Sequence, residues 1–172
     1  MAEDVRLSKR LAYVLRHAPH SAGLTLDRAG WVPVPQVLAA LGIAQDELDA
    51  VVRDSAKQRF AVVDGRIRAQ QGHSVAVDLG HPPSTPPDVL WHGTTRRALP
   101  AVLREGLRRQ QRHAVHLSAD EATARAVGAR RGPAVVLRVD AAAMVAAGHR
   151  FSVSGNGVWL VDAVPPECLS VT

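Results

Sequence analysis

Hydrophobic residues near the start of the chain recur with the 3.6-residue period of an amphipathic helix. The residues that would share its apolar face are Leu7, Leu11, Val14, Leu15 and Ala18. Proline disfavours helical backbone at the residue before it, so Pro19 predicts that this helix ends near His17. Two further helices are predicted over Pro35–Leu41, where Gly42 provides the stop, and over Asp46–Lys57.

Short apolar runs on either side of a turn signal predict a β-hairpin after these helices. Phe60–Val63 and Arg66–Ala69 flank Asp64-Gly65, a dipeptide typical of two-residue hairpin turns. His73–Leu79 alternates less regularly and is predicted to be a third strand. Helices followed by a hairpin have the element order of a winged-helix-like module.

Prolines mark a boundary near the middle of the chain. Residues 80–88 are Gly-His-Pro-Pro-Ser-Thr-Pro-Pro-Asp, and four prolines in nine residues exclude both a helix and a central strand. Such a segment favours an extended, semi-rigid connector. We therefore predict two lobes, residues 1–80 and 89–172, joined by a linker over residues 81–88.

Short apolar runs alternate with helical patterns in the second half of the chain. Strands are predicted over Val89–Trp91, Ala114–Leu117, Pro133–Val139 and Val158–Val161. Helices are predicted over Thr95–Arg104, Ser118–Ala129 and Asp140–Ala147. Ser118 and Glu121 have the spacing of a capping box, which predicts Ser118 as a helix N-cap. This mixture indicates a compact α+β lobe.

Composition excludes several classes of protein. With one cysteine, Cys168, among 172 residues, the chain has neither a disulfide framework nor a cysteine-based zinc site. No apolar run approaches the ~20 residues of a membrane span. The N-terminal residues also lack the apolar segment of a signal peptide. We therefore expect a cytoplasmic protein, with a monomer as the default state.

The basic residues are unusual because nearly all of them are arginine. The chain has 19 arginines against two lysines, Lys9 and Lys57, and its formal net charge is +5. The planar guanidinium of arginine suits bidentate binding of phosphate. Only six aromatic residues are present, too few for a broad base-stacking platform. If the partner is a nucleic acid, we expect the protein to contact mainly its phosphates.

Two groups of candidate residues lie in the first lobe. Arg16 and His17 stand at the predicted end of the first helix, where they would either complement the helix dipole or bind a phosphate. Arg66 and Arg68 are two residues apart on a predicted strand, so their side chains share a face. The polar segment Gln71-Gly-His-Ser74 follows, and a solvated hairpin would explain this pattern equally well.

The second lobe places polar residues next to predicted strands. His92-Gly-Thr94 directly follows a strand, and its glycine would let a ligand approach the backbone. His116 and Ser118 would share one face of another strand, with Arg112 shortly before them. The sequence lacks the HExxH, EF-hand, G-x-S-x-G and P-loop motifs. The residues alone indicate a phosphate-binding protein of two lobes and leave open whether it is an enzyme.

Taken together and in order, six segments make the chain resemble the NAD-dependent RNA 2′-phosphotransferase family. They span nearly the whole chain, from residue 7 to about residue 166. The segments are Leu7-Ser-Lys-Arg-Leu-Ala-Tyr-Val-Leu-Arg-His17, Gly30-Trp-Val-Pro-Val34, Arg66-Ile-Arg-Ala-Gln-Gln-Gly-His-Ser74, Trp91-His-Gly-Thr94, Arg112-His-Ala-Val-His-Leu-Ser118 and Gly157-Val-Trp-Leu160.

The resemblance implies a fold and a reaction. The fold is a winged-helix-like RNA lobe followed by an ADP-ribosyltransferase-like NAD lobe. The reaction removes an internal RNA 2′-phosphate, the mark left at a tRNA splice junction. The phosphate first attacks the ribose C1″ of NAD⁺ and expels nicotinamide, and the ribose 2″-hydroxyl then attacks the phosphate. The products are 2′-hydroxyl RNA and ADP-ribose 1″,2″-cyclic phosphate. NAD⁺ is thus a co-substrate, and no metal is implied.

The resemblance also implies which residues form the site. The Arg-His-Arg-Arg tetrad of the family corresponds to Arg16, His17, Arg68 and Arg112, which we expect to act on one phosphate. Arg68 is assigned rather than Arg66 from its position in the third segment, where Gln70 replaces the usual Asn. The residues expected to line the NAD⁺ site are His92, Gly93, Thr94, His116 and Ser118.

Two other functions remain open. An ADP-ribosyltransferase acting on nucleic-acid ends or on protein would share the first chemical step and leave a stable ADP-ribosylated product. A non-catalytic winged-helix protein would bind nucleic acid in a salt-sensitive manner without NAD⁺. Such a binder would have no need for the His92-Gly-Thr94 and His116-Leu-Ser118 segments.

Overall fold

The computed structural model describes residues 2–55 and 58–172. The chain divides into two units, Met1–Gly80 and His81–Thr172. Both combine helices with short strands, which confirms the predicted α+β class. No helix among the described residues has both the length and the apolar character that a membrane crossing requires.

The first unit packs three helices against a small antiparallel sheet. Its helices are α1 (Ala2–Arg16), α2 (Val34–Leu41) and α3 (Gln45–Arg53), with a 3-10 turn at Pro19–Ala22. Its strands are β1 (Val32–Pro33), β2 (Phe60–Val63) and β3 (Arg66–Ala69). β3 lies in the centre and pairs with both neighbours. The buried apolar face of α1, including Leu11, Val14 and Leu15, contributes to the core.

Local signals placed most of these elements correctly. The hairpin β2–β3 has the predicted bounds, and Asp64 and Gly65 adopt the positive φ angles that its two-residue turn requires. α2 ends as predicted at Gly42, whose φ is +64°. α3, in contrast, ends at Arg53, short of the predicted Lys57, which lies outside the described residues.

The strand predicted over His73–Leu79 is wrong. These residues form neither helix nor strand. Their backbone is held instead by carbonyls elsewhere in the unit, since Ser74 N–H donates to Arg16 O at 2.8 Å and Asp78 N–H donates to Arg28 O at 2.7 Å. His73, although polar, is only 1% exposed.

The described residues of the second unit form five helices or helical turns, one of them a 3-10 turn at Pro166–Cys168, and eight strands. Its α-helices are α4 (Leu99–Glu105), α5 (Glu121–Gly128) and α6 (Ala141–Ala146), and α5 continues into a 3-10 turn at Ala129–Arg131. Its strands are β4 (Val89–Thr95), β5 (Leu107–Arg108), β6 (Val115–Leu117), β7 (Ala134–Asp140), β8 (Ser152–Val153), β9 (Trp159–Val161), β10 (Ala163–Val164) and β11 (Leu169–Val171).

The strands of the second unit pair in three small groups. β4 pairs along its whole length with β7, whose other edge pairs with β11, and β9 lies between β6 and β8. β10 pairs with β5. Trp91 and Ser118 exchange backbone hydrogen bonds of 2.9 and 2.8 Å, which link the end of β6 to β4. Residues 83 and 84 pair with residues 152 and 151, so this part of the proline-rich segment is bonded within the second unit.

The N-cap of α5 differs from the predicted one. Asp120, rather than Ser118, caps the helix by accepting the Thr123 N–H at 2.7 Å. Ser118 is instead engaged through its backbone in the bridge to Trp91. The capping-box spacing was misleading because the backbone of Ser118 still pairs with Trp91 as an extension of β6. The helix therefore begins later, and Asp120 is its N-cap.

Gly93 is required where β4 meets α5. A Cβ atom at this position would lie 1.9 Å from the Ala124 carbonyl oxygen and 2.8 Å from the Gly128 nitrogen. Both of these are backbone atoms, so neither can be relieved by a rotamer change. The side of β4 that carries Gly93 is therefore in direct contact with the helix backbone.

We expect Gly93→Ala to lower the free energy of unfolding by about 1–3 kcal/mol or more, because the added methyl group overpacks the contact between β4 and α5. Gly128→Ala is the matched comparison, because its Cβ would meet Gly93 at 3.1 Å and needs only a small adjustment. Urea unfolding of both variants measures the difference. Equal stability of Gly93→Ala and wild type would contradict the observed contact.

Candidate functional site

Arg16 is placed by the end of α1. The helix stops there because Pro19 cannot continue it, and His17 N–H makes a last helical bond to Tyr13 O at 2.9 Å. The Arg16 side chain is partly buried against Gly72, whose φ is +87°. A Cβ at Gly72 would lie 3.8 Å from Cδ, Cζ and Nη1 of Arg16. The guanidinium therefore lies alongside the backbone of the segment that follows β3.

His17 contacts the same segment. Its Nδ1 lies 2.9 Å from Ser74 Oγ, and the Arg16 carbonyl accepts hydrogen bonds from the N–H groups of Ser74 and Val75. The exposed ring of His17 also lies beside Tyr13, with the ring centroids 6.2 Å apart. Residues 72–75 thus contact the C-terminal end of α1 at both predicted site residues.

Arg68 is held on β3 by an aromatic ring and two carbonyls. Its Cζ lies 4.6 Å from the centre of the Trp31 ring, which is a cation–π distance. Nη1 donates to the carbonyl oxygens of Ala29 and Leu79, at 3.3 and 3.4 Å. Nε is buried and has no hydrogen-bond partner among the described residues. An unsatisfied buried donor of a charged group is costly, and an anion is the partner that would offset this cost.

Arg66 differs from Arg68 although both point to the same face. Its side chain is 44% exposed and forms an ion pair with Asp27. Its Cζ lies 6.0 Å from the Trp31 ring centre, at the edge of cation–π range. The structure thus gives Arg66 an acidic partner and leaves Arg68 with aromatic and carbonyl contacts.

The second unit brings together Arg112, His116 and His92. Arg112 Nη1 lies 2.7 Å from His116 Nδ1, and the guanidinium can only donate, so this nitrogen of His116 accepts. His92 Nδ1 lies 3.0 Å from the His116 carbonyl oxygen, which can only accept, so Nδ1 of His92 carries a proton. Neutral His92 therefore presents Nε2 as an acceptor.

Burial lowers the pKa of His92 below its ordinary value of 6.5, because the protonated imidazole loses hydration. The hydrogen bond to the His116 carbonyl opposes this effect, and the nearby charge of Arg112 adds to the lowering. The His92 imidazole is therefore neutral near pH 7 and remains neutral to lower pH than an exposed histidine.

The remaining predicted residues of the second unit lie close to this group along the chain. Thr94 is buried on β4, and Ser118 lies beside Trp91 at the end of β6. Gly93 was interpreted as room for a ligand, and the structure shows that its missing side chain accommodates the backbone of α5. Among the described residues, no group of three or more His, Cys, Asp or Glu side chains is arranged to hold a metal ion.

Sequence reasoning missed Trp31 and Asp27. Trp31 lies within one of the segments that carried the resemblance and Asp27 lies three residues before it, but neither was given a role. Trp31 lies beside Arg68 because β1 pairs with β3 in the register that places Val32 opposite Ile67. A strand of two residues has too short a sequence pattern for this register to be predicted. The Asx-turn pattern that starts at Asp27 was the available local signal.

Comparison with known proteins gives a consistent result over almost the whole chain. Residues 2–163 match the model of the family described as RNA 2′-phosphotransferase, Tpt1 / KptA family. A protein of Agrobacterium fabrum is 58% identical, with 96% of this chain and 92% of that protein covered. Proteins of Streptomyces griseus and Nostoc punctiforme are 52% and 49% identical, with 96% of this chain and 95% of each of those proteins covered.

All three relatives carry the name "Probable RNA 2′-phosphotransferase". The matched region contains both structural units up to residue 163 and all nine predicted site residues. The chain belongs to the RNA 2′-phosphotransferase, Tpt1 / KptA family, and it is a transferase.

Proposed function

We propose that this enzyme removes an internal 2′-phosphate from RNA by transferring it to NAD⁺. The observation that carries the proposal is the family match over residues 2–163, together with relatives about half identical over nearly their full lengths. The products are 2′-hydroxyl RNA, nicotinamide and ADP-ribose 1″,2″-cyclic phosphate. RNA bearing a 2′-phosphate is thus the macromolecular substrate, and tRNA splicing in the cytoplasm is a setting that would supply it.

The two units would divide the substrates between them. The helices followed by the β2–β3 hairpin support a winged-helix-like RNA lobe in the first unit. The mixed second unit, with histidines at neighbouring strand positions, supports an ADP-ribosyltransferase-like NAD⁺ lobe. The net charge of +5 suits a polyanionic RNA partner.

The reaction proceeds in two balanced steps. In the first, a 2′-phosphate oxygen bonds to C1″ of the NAD⁺ ribose, and the bond from C1″ to nicotinamide breaks with its electron pair on nicotinamide. In the second, the ribose 2″-oxygen bonds to phosphorus, its proton is lost, and the bond from phosphorus to the RNA 2′-oxygen breaks. That RNA oxygen takes up a proton. A phosphate dianion is already nucleophilic, so the first step needs positioning more than a general base.

Arg16, His17 and Arg68 are the proposed phosphate-handling residues of the first unit. The buried Arg68 Nε, which lacks a partner among the described residues, supports a role in binding an anion. The Arg16 guanidinium lies beside Gly72, where a Cβ would be 3.8 Å from Cζ and Nη1. Guanidinium groups would stabilise the charge that develops on the phosphoryl oxygens. His17 would contact the phosphate or move a proton.

Arg112 and the histidines are the proposed residues of the second unit. His92, Gly93, Thr94, His116 and Ser118 would line the NAD⁺ site, with Arg112 as the fourth member of the phosphate tetrad. The hydrogen bond from Arg112 to His116 and the contact of His92 with the His116 carbonyl support a preformed arrangement. Neutral His92 would offer its Nε2 to a hydroxyl of the NAD⁺ ribose.

A product assay tests the activity. Purified protein is incubated in buffer containing EDTA with NAD⁺ and a short RNA that bears one internal 2′-phosphate. We expect nicotinamide release that depends on this RNA, with formation of ADP-ribose cyclic phosphate. A stable ADP-ribosylated RNA as the final product would favour the ADP-ribosyltransferase alternative. Salt-sensitive RNA binding without consumption of NAD⁺ would favour the non-catalytic binder.

We expect Arg68→Ala to lower kcat by at least about a hundredfold, as is typical for loss of one preorganised donor to a charged transition state. Arg53→Ala is the matched control, because this arginine is an exposed residue of the same unit whose only described partner is its neighbour Asp54. Initial rates of nicotinamide release measure the effect, and thermal unfolding checks that both variants fold. Equal rates in the two variants would contradict the role of Arg68.

The pH dependence of NAD⁺ binding tests the state of His92. Because its pKa is lowered, we expect the NAD⁺ affinity to stay constant from pH 8 to about 6.5 and to fall only at lower pH. Protonation would then convert the Nε2 acceptor into a donor. Calorimetric titration of wild type and His92→Gln measures the affinity, and the variant should lose this pH dependence. A midpoint at or above about pH 6.5 would contradict the assignment.

A further inference from the structure

A tight turn at residues 27–31 surrounds the carboxylate of Asp27. Oδ1 accepts the N–H groups of Ala29 and Trp31, at 2.9 and 2.8 Å. The backbone closes the same turn, since Asp27 N–H donates to Trp31 O and Gly30 N–H donates to Asp27 O, both at 2.9 Å. Gly30 supplies the positive φ of +81° that the turn needs. The conformation of this turn therefore depends on one side chain that accepts two backbone hydrogen bonds.

The other oxygen of Asp27 holds Arg66. Arg66 Nη2 donates to Asp27 Oδ2, and the two side chains are 44% and 41% exposed. Burial alone would raise the pKa of Asp27, but the hydrogen bonds from Trp31, Arg66 and Ala29 outweigh it and lower the pKa. The carboxylate is thus ionised and fully engaged, and it keeps the Arg66 guanidinium beside the turn.

Two of the three contacts that hold Arg68 come from this same turn. Trp31 supplies the ring that lies 4.6 Å from the guanidinium carbon, and Ala29 supplies the carbonyl oxygen that lies 3.3 Å from Nη1. The third contact, from the carbonyl oxygen of Leu79, is longer at 3.4 Å. The β1–β3 register, which pairs Val32 with Ile67, places position 31 next to position 68. A change in the turn would move the aromatic face and the carbonyl together.

We propose that Asp27 is a positioning residue for the reaction, which acts by fixing the 27–31 turn and thereby the guanidinium of Arg68. Asp27 touches neither substrate in this assignment, and its effect passes through Trp31 and Ala29. The inference rests on the proposed function, because Arg68 is the group whose placement matters. Arg66 belongs to the same arrangement, since it pairs with Asp27 and its Cζ lies 6.0 Å from the centre of the Trp31 ring.

Three substitutions distinguish the effect of the hydrogen bonds that hold the 27–31 turn from the effect of the negative charge of Asp27. Asp27→Ala removes both accepted hydrogen bonds and the ion pair, and we expect kcat to fall between about tenfold and a hundredfold. Asp27→Asn retains an oxygen that accepts from Ala29 and Trp31, so we expect it to restore most of the wild-type kcat. Asp49→Ala, which removes another exposed carboxylate of the same unit, should leave kcat unchanged. The Km for NAD⁺ should stay constant throughout.

A double-mutant cycle tests whether the effect passes through Arg68. In an Arg68→Ala background, under single-turnover conditions, Asp27→Ala should cause no further loss of rate. In an Arg112→Ala background it should cause the same loss as in wild type. Thermal unfolding of every variant shows whether the unit remains folded.

The outcomes distinguish the two proposals. If wild type releases no nicotinamide with 2′-phosphorylated RNA, the proposed function fails. If wild type is active but Asp27→Ala matches its kcat, the role of Asp27 is overturned. The same conclusion follows if Asp27→Asn is as impaired as Asp27→Ala, or if the losses from Asp27→Ala and Arg68→Ala are additive.

Discussion

Backbone pairing between strands in a specific register is the constraint on which both units of this enzyme depend. A buried N–H or C=O group must find a partner, and most of the described strands have only two to four residues with which to satisfy this need. In the first unit β3 does this on both edges, with β1 and β2. In the second unit, β4 pairs with β7, and Trp91 of β4 also pairs with Ser118 at the end of β6. Candidate site residues come next to one another as a consequence of these registers.

The same pairing explains how the guanidinium of Arg68 is held. Arg68 lies against the ring of Trp31 because β1 and β3 share a register, and it donates to carbonyl oxygens of the adjoining segments. Arg112 donates to a histidine nitrogen. A carboxylate next to the Arg68 guanidinium would compete with a phosphate for the same donors. The carboxylate of Asp27 is directed to Arg66 and the turn, which leaves Arg68 positioned but not neutralised.

Glycines serve two different purposes near the candidate residues. Gly30 and Gly72 adopt positive φ angles and allow the backbone to turn beside Trp31 and Arg16. Gly93 has no such angle and is needed because helix α5 lies directly on β4. The absence of a Cβ at this position is therefore required by the packing of the helix on the strand. Packing of the helix onto the strand, in turn, keeps His92 at a fixed place beside His116.

The sequence by itself determined the elements whose signals are local. Helical periodicity with Pro19 and Gly42 predicted α1 and α2, and Asp64-Gly65 predicted the hairpin with its bounds. The order of six short segments indicated the family, which the comparisons confirmed. The nine site residues remain predictions from that resemblance.

Only the tertiary structure decided what those residues touch. It showed that residues 73–79 form a segment bonded to the end of α1 rather than a strand, and that Asp120 rather than Ser118 caps α5. It distinguished the exposed, ion-paired Arg66 from Arg68 on Trp31, although the two have the same strand face. The physical reason is that local propensity acts over a few residues, whereas each of these outcomes depends on a partner far away in the sequence.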